Sequence, residues 1–514
     1  MYTFYTIRIY DKIFIVMKKE NIILTVLLFT LAIFVTCLTT NYDYDLFARL
    51  EVGEIFFKLH TVLKHDPFSY TPTLYWFDHE WGSGVFFYAF LNLLGPAGLI
   101  ILNAILFFIT TFFLLKHNKN IEYPLLTGTL FLFLLNYEAG QLIKCQAFTF
   151  MLTSLTIYIL EKFKNQNSKL IWFLPVIIAL WCNLHGGVAA GLGIISIYTI
   201  IHLIKRKTNA HKLVLAATLS YAALLINPYG IRYVAYLFYT ITVPRTNIED
   251  WISVFHPRFF VRYLPVVVIM VSMLCCKIYR NIKTKNFDFY EYSIILITMF
   301  LSFLHLKNIP LATIILFFFA SKDINYYFNQ IKYFKTINKC LYIVIPILAI
   351  AIPFTINIPR ATHFCFPFTE VEFIKINNIK GNIIAPFGDA GYISYKLYPD
   401  NKIFIDGRYD GVYPMKVFYD YINFVNNKNG WTNAIDNYPT DIIIVSKTEK
   451  IYDILKKELH SKWVEIFSSN QRGIFVKKEN VKSFYKEPIY DINYYRNNLF
   501  KTNFVNYIKR ENYD

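Results

Sequence analysis

Two aspartates that follow the first apolar segment of the chain are of a residue type suited to acid–base chemistry. Asp43 and Asp45 come directly after an apolar run that ends at Thr39. A carboxylate at the edge of a membrane cavity can take a proton from a hydroxyl group while that hydroxyl attacks an anomeric carbon. One carboxylate on the acceptor side suffices for glycosyl transfer with inversion. Asp43 and Asp45 are therefore our candidate catalytic residues, and the structural alternative is an aspartate that caps a helix or a turn.

The dipeptide His79-Glu80 offers an imidazole beside a carboxylate just before a short amphipathic segment. Such a pair can bind a divalent metal or orient a sugar hydroxyl. Neighbouring residues on a helix point in different directions, so both seldom ligate one ion. We predict that His79 and Glu80 bind substrate, and a divalent metal or a plain surface position are the alternatives. The sequence requires no cofactor, and its seven cysteines lack metal-ligand or disulfide spacing.

Several cationic residues stand at the ends of apolar segments, where a positive side chain can hold a phosphate group. The alternative is a lysine that merely extends its ammonium group from the apolar region into water. We predict substrate binding by these residues and a neighbouring glutamine. They are Lys144, Gln146, Arg232, His305 and Lys307.

The segment Trp181–Gly187 ends one apolar run and opens the next. Its paired glycines let two helices approach closely, while Asn183 and His185 project polar atoms into a packed interior. A histidine on an apolar face is more often a core residue, but a position at the membrane end favours function. We therefore add Asn183 and His185 to the predicted substrate-binding residues.

Apolar runs dominate the first 356 residues and predict a membrane protein. The chain of 514 residues is 55% hydrophobic with a mean hydropathy of +0.37, above the roughly 45–50% apolar content of soluble domains. Runs approaching ~20 apolar residues are typical of transmembrane helices, and we predict about 11 of them. They are Asn21–Thr39, Ala97–Leu115, Pro124–Leu135, Ala147–Leu160, Leu170–Leu184, Val188–Ile204, Leu213–Ile226, Tyr263–Cys276, Tyr292–Leu304, Ile309–Ala320 and Leu341–Ile356.

The distribution of positive charge predicts the orientation of these helices. The net charge is +17, and lysine and arginine cluster in alternate loops, which the positive-inside rule assigns to the cytoplasm. Residues 1–20 are then a cytoplasmic N-terminus, and an odd number of crossings places the chain after residue 356 outside the cell. The candidate polar residues all fall at the outer face. Because the membrane explains the basic residues, we expect no nucleic-acid partner.

We divide the chain into a transmembrane domain, 21–356, and a small outer α/β domain, 357–480, followed by a tail, 481–514. The first outer loop, 41–81, leads to a segment 82–94 that we predict as an interfacial or re-entrant helix, because a full crossing there would reverse the charge rule. The predicted fold is thus an all-α polytopic membrane bundle with a C-terminal extracytoplasmic α/β domain.

The outer domain shows short strands and helices in alternation, which is typical of an α/β fold. The predicted strands are Asn382–Ala385, Lys402–Ile405, Asp441–Val445 and Gly473–Val476, and the predicted helices are Val371–Ile376, Lys416–Val425 and Glu449–Leu459. Asp406 and Arg408 are the candidate functional residues of this domain, which could cover the cavity or select the acceptor. The alternative is a strand-ending Asp-Gly turn held by an Arg–Asp pair.

In this order the motifs resemble type C (GT-C) membrane glycosyltransferases, a superfamily that includes protein O-mannosyltransferases, the lipid A aminoarabinose transferase and oligosaccharyltransferase catalytic subunits. Its members have a first span followed by a long outer loop with one or two acidic residues, the position that Asp43 and Asp45 occupy. The closer resemblance is to a group of bacterial polytopic membrane proteins and covers nearly the whole chain. The matching segments are Asp43–Gly53, Asp66–Thr71, His79–Trp81, Trp181–Gly186, Asn227–Gly230 and Phe404–Arg408.

The resemblance implies a GT-C fold in the bacterial cytoplasmic (inner) membrane. It also implies transfer of a sugar from a polyprenyl-phosphate donor to a glycan, lipid or protein acceptor at the outer face, with the lipid tail lying among the spans. Asp45 would be the general base, and Asp43 or Glu80 would shape the sugar site. The residues implied near the lipid phosphate are Lys144, His185 and Lys307.

The chain departs from the pattern of that group at two places. Lys144-Cys145-Gln146 stands where Arg-Pro-Gln is expected, and His305-Leu306-Lys307 stands where an Arg-His pair is usual. Positive charge is kept at both places, but the bidentate grip of an arginine on a phosphate is lost.

Two other classes of function compete with a transferase. A transporter or lipid flippase would carry charged residues deep within its spans and a repeat symmetry between its halves, and the sequence shows neither. A non-catalytic scaffold that assembles a cell-envelope complex is the second alternative, and substitution of Asp45 distinguishes it from an enzyme.

Overall fold

Helices make up most of the described chain, in agreement with the apolar runs. The structure is a computed structural model that describes residues 19–39, 41–139, 142–243, 245, 248–355 and 366–502. Three of the predicted features lie wholly or partly outside these residues. They are the cytoplasmic N-terminus up to residue 18, the domain boundary at 356–357 and the tail from residue 503.

A helix occupies each of the predicted apolar runs. The helices before residue 356 are α1 (Lys19–Thr39), α2 (Leu46–Leu59), α3 (Trp81–Leu94), α4 (Pro96–His117), α5 (Pro124–Glu138), α6 (Gln146–Gln166), α7 (Leu174–Leu184), α8 (Val188–Ile204), α9 (Ala210–Ala223), α10 (Ile231–Thr242), α11 (Pro257–Thr284), α12 (Phe289–Leu304), α13 (Ile309–Phe328), α14 (Lys332–Ala349) and α15 (Ile352–Thr355).

Three helices within the described residues are long and apolar enough to cross a membrane: Pro96–His117, Pro257–Thr284 and Leu306–Phe328. These segments mark the chain as a membrane protein. Five more apolar helices have between 10 and 17 residues, so the total of about 11 crossings stays a prediction. The 14 residues of α3 span about 21 Å, and its interfacial or re-entrant placement stays a prediction.

The first outer loop contains a helix, α2, that the sequence analysis did not predict. We predicted this segment as part of a long loop, but its four charged residues, Arg49, Glu51, Glu54 and Lys58, are paired or buried in the fold. Glu54 accepts from Lys58 one turn away on the helix, and Arg49 pairs with Asp78 beyond it. Paired charges remove the cost of burying an ionised group, which allows a charged helix to pack beneath the outer domain.

Helices α2 and α3 cross at two glycines. A Cβ atom on Gly53 would collide with the carbonyl of Gly84, and one on Gly84 would collide with the carbonyl of Arg49. The two backbones therefore touch, as small residues permit in membrane helix pairs. This crossing fixes α2 against the membrane part of the chain. It therefore also fixes the position of Asp45, which directly precedes α2, relative to the membrane helices.

The outer domain is built on a four-stranded sheet in the order β3-β4-β6-β5. The strands are β3 (Ile383–Ile384), β4 (Ile442–Ser446), β5 (Trp463–Ser468) and β6 (Arg472–Lys477), numbered after the pair β1 (Asn41–Tyr42) and β2 (Leu142–Ile143). The surrounding helices are α16 (Phe368–Ile376), α17 (Ala390–Leu397), α18 (Met415–Asn426), α19 (Asn433–Asp436), α20 (Lys450–Lys457) and α21 (Ile492–Asn498). Strands β3, β4 and β6 lie at predicted places, whereas β5 was not predicted because Glu465 interrupts its apolar pattern.

The first outer loop and the outer domain form one packed unit. The predicted strand Lys402–Ile405 is not a regular strand but forms single bridges, in which Ile403 pairs with both Ser69 of the loop and Ile383 of the sheet. Leu74 donates its backbone N–H to Val412 over 2.7 Å. Buried side chains from both segments share one apolar cluster, so the loop completes the core of the domain.

The glycine crossing gives a first prediction. Replacing Gly53 by alanine should destabilise the protein by about 1–3 kcal/mol, because the new methyl group forces the backbones of α2 and α3 apart. The matched control is Gly193 in α8, where an added Cβ atom meets nothing within 4 Å. The measurement is the apparent melting temperature of the detergent-purified protein. Equal melting temperatures for G53A and G193A would contradict the tight crossing.

Candidate active site beneath the outer domain

The pair of strands β1 and β2 brings the first predicted aspartate to a lysine from a distant loop. The strands run parallel with Asn41 opposite Leu142 and Tyr42 opposite Ile143, so the next residue of each strand, Asp43 and Lys144, must also be neighbours. Their carboxylate and ammonium groups are 3.6 Å apart. A two-residue ladder thus joins segments a hundred positions apart and places two predicted site residues together.

Lys144 also reaches a third segment of the chain. Its Nζ atom lies 3.7 Å from Oδ2 of Asp250, in a short 3₁₀ turn, Glu249–Trp251. Burial favours the neutral amine, but Asp43 and Asp250 outweigh this effect and raise the pKa of Lys144 above its ordinary value. The lysine is therefore a fixed positive charge between two carboxylates.

Asp45 stands at the start of α2 but does not cap it. Its side chain makes no capping hydrogen bond, so the helix-cap alternative is not what the structure shows. The carboxylate instead lies against the backbone of Gly407 in the outer domain, where a Cβ atom would collide with Oδ1. Asp45 thus lies at the seam between the first loop and the outer domain, where part of the residue faces solvent while the protein surrounds its carboxylate.

The environment of Asp45 raises the pKa of its carboxyl group to about 7. The largest cause is loss of bulk water to the surrounding protein, and the next is the negative charge of Asp43. Lys144 and Arg49 act in the opposite direction, while Glu80 adds to the repulsion. A carboxyl group that titrates near neutrality can both accept and release a proton at physiological pH.

Arg49 lies one helical turn after Asp45, and its guanidinium binds two carboxylates at the end of the first outer loop. Its Nη1 atom lies 2.5 Å from Oδ1 of Asp78 and 3.9 Å from Oε2 of Glu80. The same aspartate oxygen accepts the N–H of Glu80, and the N–H of Asp78 is donated to the hydroxyl of Tyr229. Arg49 and Asp78 were not among the predicted site residues, yet they fix the orientation of those that were.

Glu80 lies between two histidines. Its Oε1 atom is 3.6 Å from Nε2 of His79 and 3.5 Å from Nε2 of His185. Burial alone would raise the pKa of Glu80, but the two histidines and Arg49 outweigh it, and the pKa lies below its ordinary value. Glu80 therefore stays ionised while Asp45 titrates, so the two carboxyl groups differ in their chemistry.

A chain of hydrogen bonds orients His185. The indole N–H of Trp181 donates to the hydroxyl of Thr149, which in turn donates to Nδ1 of His185 over 2.8 Å. The backbone N–H of Gly187 donates to the same nitrogen. Nδ1 is therefore an acceptor, and the ring proton of the neutral tautomer is on Nε2, facing Glu80. Burial lowers the pKa of His185 to about 4, so the ring is neutral at pH 7.

Asn183 and Gln146 lie beside this network. The side-chain oxygen of Asn183 accepts the indole N–H of Trp81 over 2.9 Å, and its amide nitrogen donates to the carbonyl groups of Ala179 and Ile226. Asn183 thus holds the start of α3 in place. Gln146 is the first residue of α6, half-buried, two positions after Lys144.

A cationic cluster forms the other half of the site. The ammonium group of Lys307 lies 3.0 Å from the ring centroid of Trp251, and the guanidinium of Arg245 lies 4.6 Å from the same centroid. His305 donates from Nδ1 to the carbonyl of Trp251 over 2.7 Å. Arg245 also makes two hydrogen bonds to the carboxylate of Asp410 in the outer domain, of 3.1 Å and 2.7 Å.

The acidic and cationic halves are continuous through the 3₁₀ turn. Asp250 pairs with Lys144 on the acidic side, and the next residue, Trp251, carries Lys307 on the other. Asp250 and Trp251 belong to the acidic-aromatic run Glu249-Asp250-Trp251, which was not among the predicted site residues. Arg245 was not predicted as a site residue, because it belongs to no recognisable motif in the sequence.

Two predicted residues of the outer domain form a buried ion pair. Arg408 and Asp406 are buried and bonded to each other, and Arg408 also pairs with Asp66 of the first loop over 2.6 Å. The Arg408 guanidinium lies 4.9 Å from the Trp76 ring centroid. This arrangement corresponds to the alternative in which an Arg–Asp pair holds an Asp-Gly turn, extended here by a second aspartate.

Arg232 is exposed at the start of α10, with its guanidinium 6.0 Å from the ring centroid of Tyr75. Among the described residues, no ion pair joins Arg232 to the acidic or the cationic half of the site. Within residues that the structure describes, no three side chains of His, Cys, Asp or Glu are arranged to hold a metal ion. The positive charge nearest to Asp43 is supplied by Lys144 instead.

Comparison with known proteins identifies the fold. No family model matches the chain, and no curated protein does. Among solved structures, an archaeal oligosaccharyltransferase, AglB from Archaeoglobus fulgidus in complex with an inhibitory peptide and a dolichol-phosphate, matches with a TM-score of 0.55. The alignment covers 93% of this chain and 77% of that chain at 10% sequence identity. The chain shares its fold with an oligosaccharyltransferase.

The buried pair of Arg49 and Asp78 gives the second prediction. Replacing Arg49 by methionine should destabilise the protein by about 3–5 kcal/mol, since it leaves the carboxylate of Asp78 buried without its partner. The double variant R49M/D78N should recover part of this loss. The control is R258M, which removes the exposed pair of Arg258 and Glu249 and should cost less than about 1 kcal/mol. Thermal unfolding in detergent measures all three, and equal losses for R49M and R258M would refute the role of the buried pair.

Proposed function

We propose that the protein is a membrane glycosyltransferase that transfers a sugar from a polyprenyl-phosphate-linked donor to an acceptor outside the cytoplasm. The observation that carries the proposal is the junction of two chemically different half-sites under one domain. Carboxylates with different pKa values lie on one side, and cations lie on the other. Sugar transfer from a lipid phosphate needs both kinds of group at adjacent places.

The acidic half supplies the base. The acceptor nucleophile attacks the anomeric carbon of the donor sugar, and Asp45 takes the proton that this nucleophile loses. Its pKa of about 7 suits that exchange. Asp43 and Glu80 remain beside the sugar as acceptors of hydroxyl hydrogen bonds, and the negative charge of Glu80 stabilises the oxocarbenium-like transition state.

The cationic half receives the leaving group. As the bond from the nucleophile to the anomeric carbon forms, the bond between that carbon and the phosphate oxygen breaks, and its electron pair leaves with the polyprenyl phosphate. Lys307 and Arg245 lie where they can stabilise that charge electrostatically, and Lys144 joins the two halves. Arg245 supplies the forked guanidinium of this half, and Lys307 adds a single nitrogen donor beside it.

The fold supports the same class of substrate. The oligosaccharyltransferase with which the chain shares its fold was determined with a dolichol-phosphate and a peptide, which are a lipid phosphate and a protein-type ligand. A glycan, a lipid or a protein can each serve as acceptor for the chemistry described here. The outer domain contacts Asp45 through Gly407 and Arg245 through Asp410. It is therefore the part of the protein that can select among these acceptors.

The base assignment gives the third prediction. In a strain that lacks the protein, mass spectrometry of envelope glycans and glycoproteins should reveal a missing product, and the wild-type gene should restore it. The variant D45N should fail to restore it, by about 100-fold or more in product, while accumulating normally in the membrane. The control D453N alters an exposed aspartate of α20 and should restore it fully. An unchanged glycan profile in the deletion strain, or full restoration by D45N, would favour the envelope scaffold.

The charges around Asp45 give the fourth prediction. The pH dependence of kcat/KM for sugar transfer from a polyprenyl-phosphate donor should rise through pH about 7 as Asp45 loses its proton. Lys144 lowers the pKa of Asp45, so K144M should move this rise to higher pH. Asp43 raises that pKa, so D43N should move the rise to lower pH. A rise at the same pH in both variants would rule out Asp45 as the titrating group.

A further inference from the structure

A second polar site lies at the opposite end of the membrane helices and takes no part in the proposed reaction. It is a pocket of about 260 Å³ between the ends of α4, α6 and α13. Four lysines line it together with amide side chains and a single carboxylate. The lining residues include Lys116, Lys119, Lys162, Lys322, Asn165 and Glu161.

The position of this basic pocket follows from the length of α6. This helix has 21 residues and is therefore about 30 Å long, the thickness of the hydrocarbon core of a bilayer. Lys144 and the candidate active site stand at its first residues, and the basic pocket stands at its last turn. The pocket therefore opens at the other face of the membrane, where phospholipid headgroups lie.

The charges of the pocket are not neutralised by the protein. Glu161 is already engaged, because it accepts hydrogen bonds from the hydroxyl of Tyr198 and from the amide of Asn165 and forms an ion pair with Lys164. Within the described residues, Lys116, Lys119, Lys162 and Lys322 have no carboxylate within ion-pair distance. Four ammonium groups around one cavity with no free carboxylate attract an anion.

The aromatic residues beside the pocket indicate where the anion comes from. The ammonium group of Lys116 lies 5.2 Å from the ring centroid of Phe112 and 5.4 Å from that of Tyr158, and Lys162 lies 5.9 Å from the latter. Lysines above aromatic rings at the end of an apolar helix are typical of the headgroup level of a membrane.

We infer that this basic pocket binds the phosphate of an anionic phospholipid from the membrane leaflet opposite to the candidate active site. Basic pockets between membrane helices bind such headgroups, with each lysine near the surface contributing about 1 kcal/mol, a factor of about five in affinity. The inference is independent of the reaction proposed for the other end of the chain.

Native mass spectrometry of the full-length protein tests this inference, with phosphatidylglycerol and phosphatidylcholine as probes. The wild type should retain phosphatidylglycerol in preference, and the variant K116Q/K162Q/K322Q should bind it about 100-fold more weakly. The control K332Q/K335Q/K339Q removes three exposed lysines of α14 at the same end of the molecule, outside the pocket, and should bind like the wild type. Equal weakening in both triple variants would overturn the inference, because general surface charge would then explain the binding.

A second arm separates the lipid from a soluble phosphate and covers a failure to fold. Inorganic phosphate at millimolar concentration should displace little phosphatidylglycerol from the wild type. Binding of phosphate with no preference for phosphatidylglycerol over phosphatidylcholine would overturn the lipid assignment. The single variant K322Q changes one exposed residue and should bind the lipid about fivefold more weakly, so the test stands even where the triple variant does not fold.

Discussion

The pairing of Arg49 with Asp78 is the interaction on which the geometry of the site depends. Both groups are buried, and a buried charge persists only with a partner in good geometry. Arg49 stands one helical turn after Asp45, and Asp78 stands two positions before Glu80. One ion pair therefore fixes the relative position of the titrating carboxyl group and of the carboxylate that stays ionised. The glycine contact between α2 and α3 makes this approach possible, because it lets the two helices touch at the backbone.

The two halves of the site are held by different physical means. On the acidic side, hydrogen bonds run inward to Thr149 and Trp181, so the orientation of His185 is set by the membrane helices themselves. On the cationic side, Arg245 and Lys307 share one aromatic ring, and Arg245 is tied to the outer domain through Asp410. The orientation of His185 is thus set by the membrane part, whereas Arg245 is also held by the domain above it.

The sequence predicted the location of the site better than its connections. Alternation of positive charge placed Asp43, Lys144 and His185 at one face, and the structure brings each of them into one network with its neighbours. The parallel ladder that joins Asp43 to Lys144 was beyond prediction, since two-residue strands leave no periodic pattern. Arg49 was visible in the first motif, but nothing local to it reveals Asp78 as its partner, 29 positions away.

Buried charge explains both a missed element and an ion pair that was suggested by the sequence. Helix α2 was predicted as part of a long loop, and only the tertiary fold shows that its charges are paired or buried. Conversely, the Asp-Gly-Arg segment of the outer domain was weighed as a turn held by an ion pair, and Asp406 and Arg408 form that pair. A turn can be predicted from adjacent residues, whereas ion pairs between distant residues depend on the complete fold.

The bridges from Ile403 to Ser69 and Ile383 have a consequence for how the protein is made. The ribosome synthesises the first outer loop more than three hundred residues before the segment around Ile403 that completes the core of this loop. Until then Asp66 lacks its partner Arg408, and Asp45 lacks the Gly407 backbone that lies against it. A chain that stopped before residue 403 would therefore lack both the segment that completes the core of the first loop and the Gly407 backbone that lies against Asp45.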